Sequence, residues 1–291
     1  MRISLIMTLA LATGCATTYN AKWDEKPTTA APAQDDATAT LVSEGDAAWA
    51  TRGDQAKLTE ALAKWEAAFQ KAPTAELAAK LSRGHYLLGD GFLALENNLE
   101  GRDAEYQKGL DWATTSLKLA APDFAKAMTE GKKHTEAITL AGKDAVPAMY
   151  WYATNLGKWA ASKGFATRLR YKDDIKATME HVKSLDEGFF YAAPWRYFGS
   201  FEAVTAGLAG GSLEKSEENY KKAVELAPNY LGSKVLWAEY LCTKKNDRAT
   251  YEKLLKEVLA ADPTVDPAIE PENRIEQKKA TKMLAEIDEK F

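Results

Sequence analysis

The sequence predicts an all-α protein: a degenerate stack of helical hairpins with inserted loops, one inserted helix and a C-terminal capping helix. Three observations carry this. From Leu41 onward apolar residues recur three and four apart, as in Leu77, Leu81 and Leu88 or Leu236 and Tyr240, the period of a helix buried on one side. Sustained alternation at a period of two is missing, and no Asn-Gly turn joins two β-branched runs. A pattern of small and aromatic residues returns several times along the chain at matched spacing.

The N-terminus reads as an export signal. Arg2 supplies a positive end, and Ile3 to Ala12 is an uncharged run too short to span a bilayer. The run ends in Ala12-Thr13-Gly14-Cys15, which resembles a bacterial lipobox. That resemblance implies cleavage before Cys15 and lipid on its thiol. Residues 15–40 are rich in Ala, Thr, Pro and Asp and are expected to form the lipidated end and a flexible tether spanning roughly 25–30 Å. The helical domain is then 41–291. Membrane contact is expected through lipid alone, on the periplasmic side of the cell envelope. Ala16 after the cysteine, in place of Asp, favours the outer membrane by analogy with other lipoproteins. Cys242 is the only other cysteine and lies in an apolar helical pattern, so a buried inert thiol is expected and no intrachain disulfide.

The repeated pattern is small–x3–aromatic–x2–small–x4–Pro. Ala61, Trp65, Ala68 and Pro73 fit it, as do Ser216, Tyr220, Ala223 and Pro228. Tyr251, Leu255, Val258 and Pro263 fit more loosely, Ile175, Met179 and Val182 without the proline, and Gly109, Ala113 and Ser116 with Pro122 one residue late. Trp195-x-x-Phe198-Gly199 supplies a first-helix half, with weaker echoes at Leu156-Gly157 and Leu88-Gly89. These spacings resemble tetratricopeptide repeats (TPR). The segments begin at 61, 109, 175, 216 and 251, irregular intervals where a plain array gives about 34. The widest gap is expected to hold the extra helix, near residues 122–141. Ser212 is a candidate N-cap with Glu214 in the first turn that follows. Ile275, Met283, Leu284 and Ile287 are candidates to cap the stack.

The net charge of −4 argues against nucleic acid as a partner. His85, His134 and His181 have no second ligand at helical spacing, so neither a metal site nor a cofactor is indicated. The glycines at 207–211 lack the Gly-Lys-Ser/Thr ending of a phosphate loop. Asp173-Asp174 and Glu217-Glu218 are adjacent and point about 100° apart on a helix, unlike an acid–base pair. No catalytic motif is found, and the chain reads as a non-enzyme.

The aromatic residues are more informative. On a helix over 148–163, Tyr152, Leu156 and Trp159 share one stripe with Met149 at its edge and read as core. Ala153, Gly157 and Ala161 form a small-residue stripe where another helix is expected to approach. Trp151 falls apart from both, beside Asn155, Lys158 and Ser162. It is expected either half-buried under an insert or on a concave surface. Arg196 and Tyr197 are left unexplained by the repeat pattern and are expected to face a groove or a neighbouring subunit. Trp151, Asn155, Lys158, Arg196 and Tyr197 are therefore the candidate ligand or partner surface.

Three segments, "VPAMYWYATNLGKWAASKG", "LDEGFFYAAPWRYFGSFEA" with the helices after it, and "PENRIEQKKATKMLAEIDEKF", resemble in order and spacing the T component of tripartite ATP-independent periplasmic (TRAP) transporters, often called TatT. The likeness covers roughly residues 75–291 and the lipoprotein start. It implies a periplasmic lipoprotein of cryptic TPR hairpins, a homotrimer with a central pore, and association with the solute-binding P component to capture or deliver a small organic or hydrophobic ligand. The competing expectation is a generic TPR scaffold that binds a peptide during envelope assembly.

Overall fold

A computed structural model describes residues 16–25, 35–207 and 210–291. Cys15 and residues 1–14, where a signal segment is expected, lie outside the described residues, as do Leu208 and Ala209 of the glycine-rich loop. In chain order the helices are α1 (Asp36–Ala50), α2 (Gln55–Lys71), α3 (Ala75–Leu87), α4 (Leu99–Ala120), α5 (Pro122–Thr129), α6 (His134–Ala137), α7 (Val146–Ser162) and α8 (Phe165–Leu185). Then follow α9 (Phe189–Thr205), α10 (Leu213–Leu226), α11 (Gly232–Leu236), α12 (Thr243–Lys245), α13 (Arg248–Ala260), α14 (Glu270–Ala285) and α15 (Ile287–Lys290). Two π-helical turns, Leu88–Leu93 and Trp237–Cys242, prolong α3 and join α11 to α12. No strand occurs among the described residues; one isolated bridge joins Ala206 to Gly211.

The helix starts follow local chemistry. Asp35, Asp54, Thr74, Asn98, Ser212 and Asp247 each accept a bond from a first-turn N–H of the helix behind them. Pro122, Pro147 and Pro271 sit in first turns, where no donor is lost. Helix α1 begins at Asp36, five residues before Leu41, the expected start of the helical domain.

The five repeat segments fall on α2, α4, α8, α10 and α13, and each packs on a partner helix before it. Their spaced residues are the contact positions: Trp65, Met179, Tyr220 and Leu255 are all at most 1% exposed. Burying side chains of this size stabilises by about 2–3 kcal/mol each. The small partner matters as much as the ring. A Cβ on Gly199 of α9 would lie 2.8 Å from the Tyr220 ring, and one on Gly45 of α1 would lie 2.5 Å from Trp65. Only glycine lets these pairs close. Cys242 is buried at 1% exposure, and burial pushes its thiol up to about 12.

Three expectations need correction. The 122–141 insert is two short helices, α5 and α6, because Gly131 turns the chain left-handed (φ 81°) between them. The segment after Cys15, expected to be a flexible tether, is not free throughout. Thr17 N–H donates to Thr167 Oγ1 at 2.9 Å and Tyr19 N–H to the Tyr171 hydroxyl at 2.6 Å. The Trp23 ring packs edge-on to Phe124 at 5.2 Å, and Lys118 donates to the Lys22 carbonyl. The C-terminal helix, finally, does more than cap. Met283, Leu284 and Ile287 pack on the cluster of Tyr251 and Leu255 as expected, whereas Ile275 packs on Leu58 and Leu87 of the first two hairpins. Glu272 accepts from Arg52 Nε at 3.0 Å and Nη2 at 2.6 Å, and from Arg83 at 2.8 Å. Helix α14 thus joins the last hairpin to the first and closes the stack into a ring.

The same helix also holds two loop ends in place. Asn273, Gln277 and Ala280 share one face. Asn273 accepts from Leu231 N–H at 3.1 Å and donates to the Asn229 carbonyl at 2.9 Å. Gln277 donates to the carbonyls of Val258 and Ala261, satisfying the orphan end of α13.

Beneath the N-terminal segment, His134 is 6% exposed and stacks on Tyr152 at 5.5 Å. Thr178 gives its hydroxyl proton to the Asp174 carbonyl, so the imidazole Nε2–H donates to Thr178 Oγ1 at 2.8 Å. Burial lowers the imidazole to about 4, below its ordinary 6.5. The unfolded chain binds that proton first. Stability is therefore full above pH 6.5, falls as the pH drops towards 4, and levels off below, by at most about 3 kcal/mol. Urea unfolding of the protein and of His134→Gln between pH 7.5 and 4 checks this; an equal slope in the variant removes His134 as the cause.

Candidate functional site

The ring encloses a cavity of about 570 Å³, walled by α3, α7, α8, α9, α11 and α14. The wall is mainly aromatic and aliphatic. Six lining residues are Lys or Arg and three are Asp or Glu, so cations are in excess in a molecule of net negative charge.

One wall is the small-residue stripe of α7. Ala153, Gly157 and Ala161 line the cavity, with Ile175 of α8 beside Gly157. A Cβ on Gly157 would meet only Ile175 Cδ1, at 3.9 Å. The core stripe behaves as expected, with Met149, Tyr152, Leu156 and Trp159 all at most 4% exposed.

Trp151 is both core and cavity wall. It is 4% exposed, with ring centroids 5.5 Å from Tyr86, 4.8 Å from Tyr150 and 5.2 Å from Phe190. Lys158 and Tyr197 also line the cavity, and burial pushes the Tyr197 hydroxyl well up. Asn155 does not line it. Its Nδ2 donates to Ser82 Oγ at 3.1 Å and to the Trp151 carbonyl at 3.0 Å, in the contact of α7 with α3 and α4, where Gly109 leaves room for it. The helix wheel put Asn155 beside Trp151 correctly, but α3 and α4 already cover that face.

The floor carries an ion cluster that pattern reading missed. Asp90, on the π-turn after α3, accepts from Lys158 at 2.6 Å and from Lys279 of α14 at 2.7 Å. Lys279 also reaches Glu276 at 2.9 Å. Burial alone would raise the Asp90 carboxyl, but the two ammonium groups outweigh it and hold it well below the usual carboxylate range. Both lysines are held well above theirs, Asp90 outweighing the burial. Tyr106 donates to the same carboxylate at 3.0 Å. The available signal was a lone Asp between two glycines in an apolar run.

The far wall holds a strained turn. Phe190, Tyr191 and Ala192 are all left-handed, with φ of 42°, 58° and 57°. Such residues cost about 1–3 kcal/mol each and persist only when neighbours hold them. Pro194, four residues on, has no N–H for the Phe190 carbonyl. Arg196 supplies the donors, at 2.9 Å to the Phe190 carbonyl and 2.6 Å to that of Tyr191. Its guanidinium also stacks on Tyr230 at 4.2 Å. Arg196 thus lines the cavity with its polar groups committed to backbone. Nothing in Phe-Phe-Tyr-Ala marks this turn, since it contains no Gly or Asn.

The remaining histidines are engaged elsewhere: His85 with Glu105 at 2.6 Å and His181 with the Ala141 carbonyl at 2.7 Å. No group of three or more His, Cys, Asp or Glu able to hold a metal occurs among the described residues. No helix there is long and apolar enough to cross a membrane.

A family model described as TRAP transporter T-component matches residues 86–291. The chain belongs to this family. The family is an accessory component of TRAP transport systems and is not an enzyme family. The T-component match includes every cavity residue named above except Arg83. The chain is also similar to an uncharacterized protein of Treponema pallidum (strain Nichols), 23% identical over 216 residues, covering 71% of this chain and 65% of that relative. It thus spans somewhat less than two thirds of the relative's length.

Proposed function

We propose that this T component is a periplasm-facing lipoprotein, anchored through Cys15, that holds a small apolar organic acid in the ring cavity for a solute-binding P component. The observation that carries the reading is the cavity itself: an aromatic chamber with Lys158 and Lys279 on its floor and an excess of cations in its lining. An apolar body suits the walls, and an acidic end suits the excess charge. Closure by α14 supports this over a peptide groove, which needs an extended open channel. The homotrimer is part of the same proposal.

The partner is tested by crosslinking and pull-down with the mature chain in cells that carry TRAP solute-binding proteins. Recovery of such a protein is the expected result. Recovery of unrelated envelope proteins alone would support the scaffold reading instead.

A further inference from the structure

Phe165 and Leu169 are 69% and 52% exposed, one turn apart at the start of α8. Isolated exposed apolar residues are ordinary, but these two sit in an unusual setting. Arg168 and Lys172 share their face of α8, Arg170 lies on the other face over Tyr171, and no acidic residue occurs between 163 and 172. Asp173 and Asp174 follow at the far end; Lys172 lies 3.4 Å from Asp173, and Asp174 is partly buried. Phe165, Arg168, Leu169 and Lys172 also line the cavity, so this patch is its mouth.

The second observation is where the N-terminal segment runs. Thr17 bonds Thr167 and Tyr19 bonds Tyr171. The segment therefore follows α8 in the same direction, and traced backwards it leads to the start of α8. Cys15 is two residues before Thr17, within about 7 Å of chain. The segment lies on the side of α8 opposite Phe165 and Leu169, so an acyl group on Cys15 would leave the chain near the same end of the helix, the end that carries the two apolar side chains.

We propose that residues 163–172 rest on an anionic lipid bilayer, so that the cavity mouth opens at the membrane surface. This rests on the reading of Cys15 as the lipid anchor. The bilayer is the occupant the observations favour: the anchor holds this end of α8 close to it, the two apolar side chains can enter the headgroup boundary, and Arg168 and Lys172 on the same face meet anionic headgroups.

The test couples the mature chain, residues 15–291, through Cys15 to a maleimide lipid in vesicles of phosphatidylglycerol and phosphatidylcholine. Cys242 is buried and does not compete. Hydrogen–deuterium exchange over 163–172 is then read with and without vesicles. Slowing by about fivefold or more is expected, less on pure phosphatidylcholine, and lost in Phe165→Glu/Leu169→Glu with the melting temperature retained. Unchanged exchange on anionic vesicles overturns the proposal. Slowing without vesicles that grows with protein concentration also overturns it, because a second copy then covers the patch. Lipidation is decided separately by Cys15→Ala, which is expected to move the protein into the soluble fraction of cells; if it stays membrane-bound, the anchor reading fails whatever the vesicles show.

Discussion

Replacing Glu272 by Ala is expected to lower stability by about 3–5 kcal/mol, the range for breaking a buried ion pair on one side. Arg52 is 4% exposed and stacks on Trp49 at 4.6 Å, so it has no route to water once its carboxylate is gone. Arg83 is less affected, because its side chain is 26% exposed. The loss comes from an unpaired buried guanidinium more than from the attraction removed. The double variant Arg52→Met/Glu272→Met should therefore lose markedly less than Glu272→Ala alone. Thermal or urea unfolding reads both. The single variant also loosens the contact of α14 with the first hairpins, so exchange should rise in α1 and α3 as well as in α14. A change below about 1 kcal/mol, or equal losses in single and double variants, would mean that α14 does not close the ring through this pair.

The helical architecture was legible because its signals are local and periodic. The spacing of Trp65, Tyr220 and Leu255 marks contact positions wherever the chain runs next, and Ser212 caps α10 through atoms three residues apart. What was not legible depends on residues far apart in the chain. Asp90 meets Lys279, and Arg52 meets Glu272, across about two hundred residues. A helix wheel orients Asn155 and Trp151 but cannot say which neighbour covers each. So Asn155 was placed on the candidate surface although α3 and α4 bury it, and Gly157 was assigned to a helix contact alone although it also faces the cavity. The left-handed turn at Phe190 is held by Arg196 against local preference and leaves no mark in composition. Trp151, one of the candidate surface residues, is core as well as cavity wall. Its burial predicts that Trp151→Ala would damage the core, so it cannot separate binding from folding.

Gly157 can. It sits in the middle of α7 with helical backbone and only Ile175 near a notional Cβ. Gly157→Ala should stabilise the protein by about 0.5–1 kcal/mol, because glycine is a poor residue inside a helix. That corresponds to a rise of about 1–4 °C for a domain of this size. Gly157→Trp places a large ring inside the chamber without pressing on the floor cluster. The most direct test of the cavity as the binding site is a fluorescence titration with cis-parinaric acid, an apolar carboxylate, on the wild-type protein, Gly157→Ala and Gly157→Trp. The account predicts saturable one-to-one binding to the first two and at least about tenfold weaker binding to the third, which remains folded. Unchanged affinity in folded Gly157→Trp would contradict it.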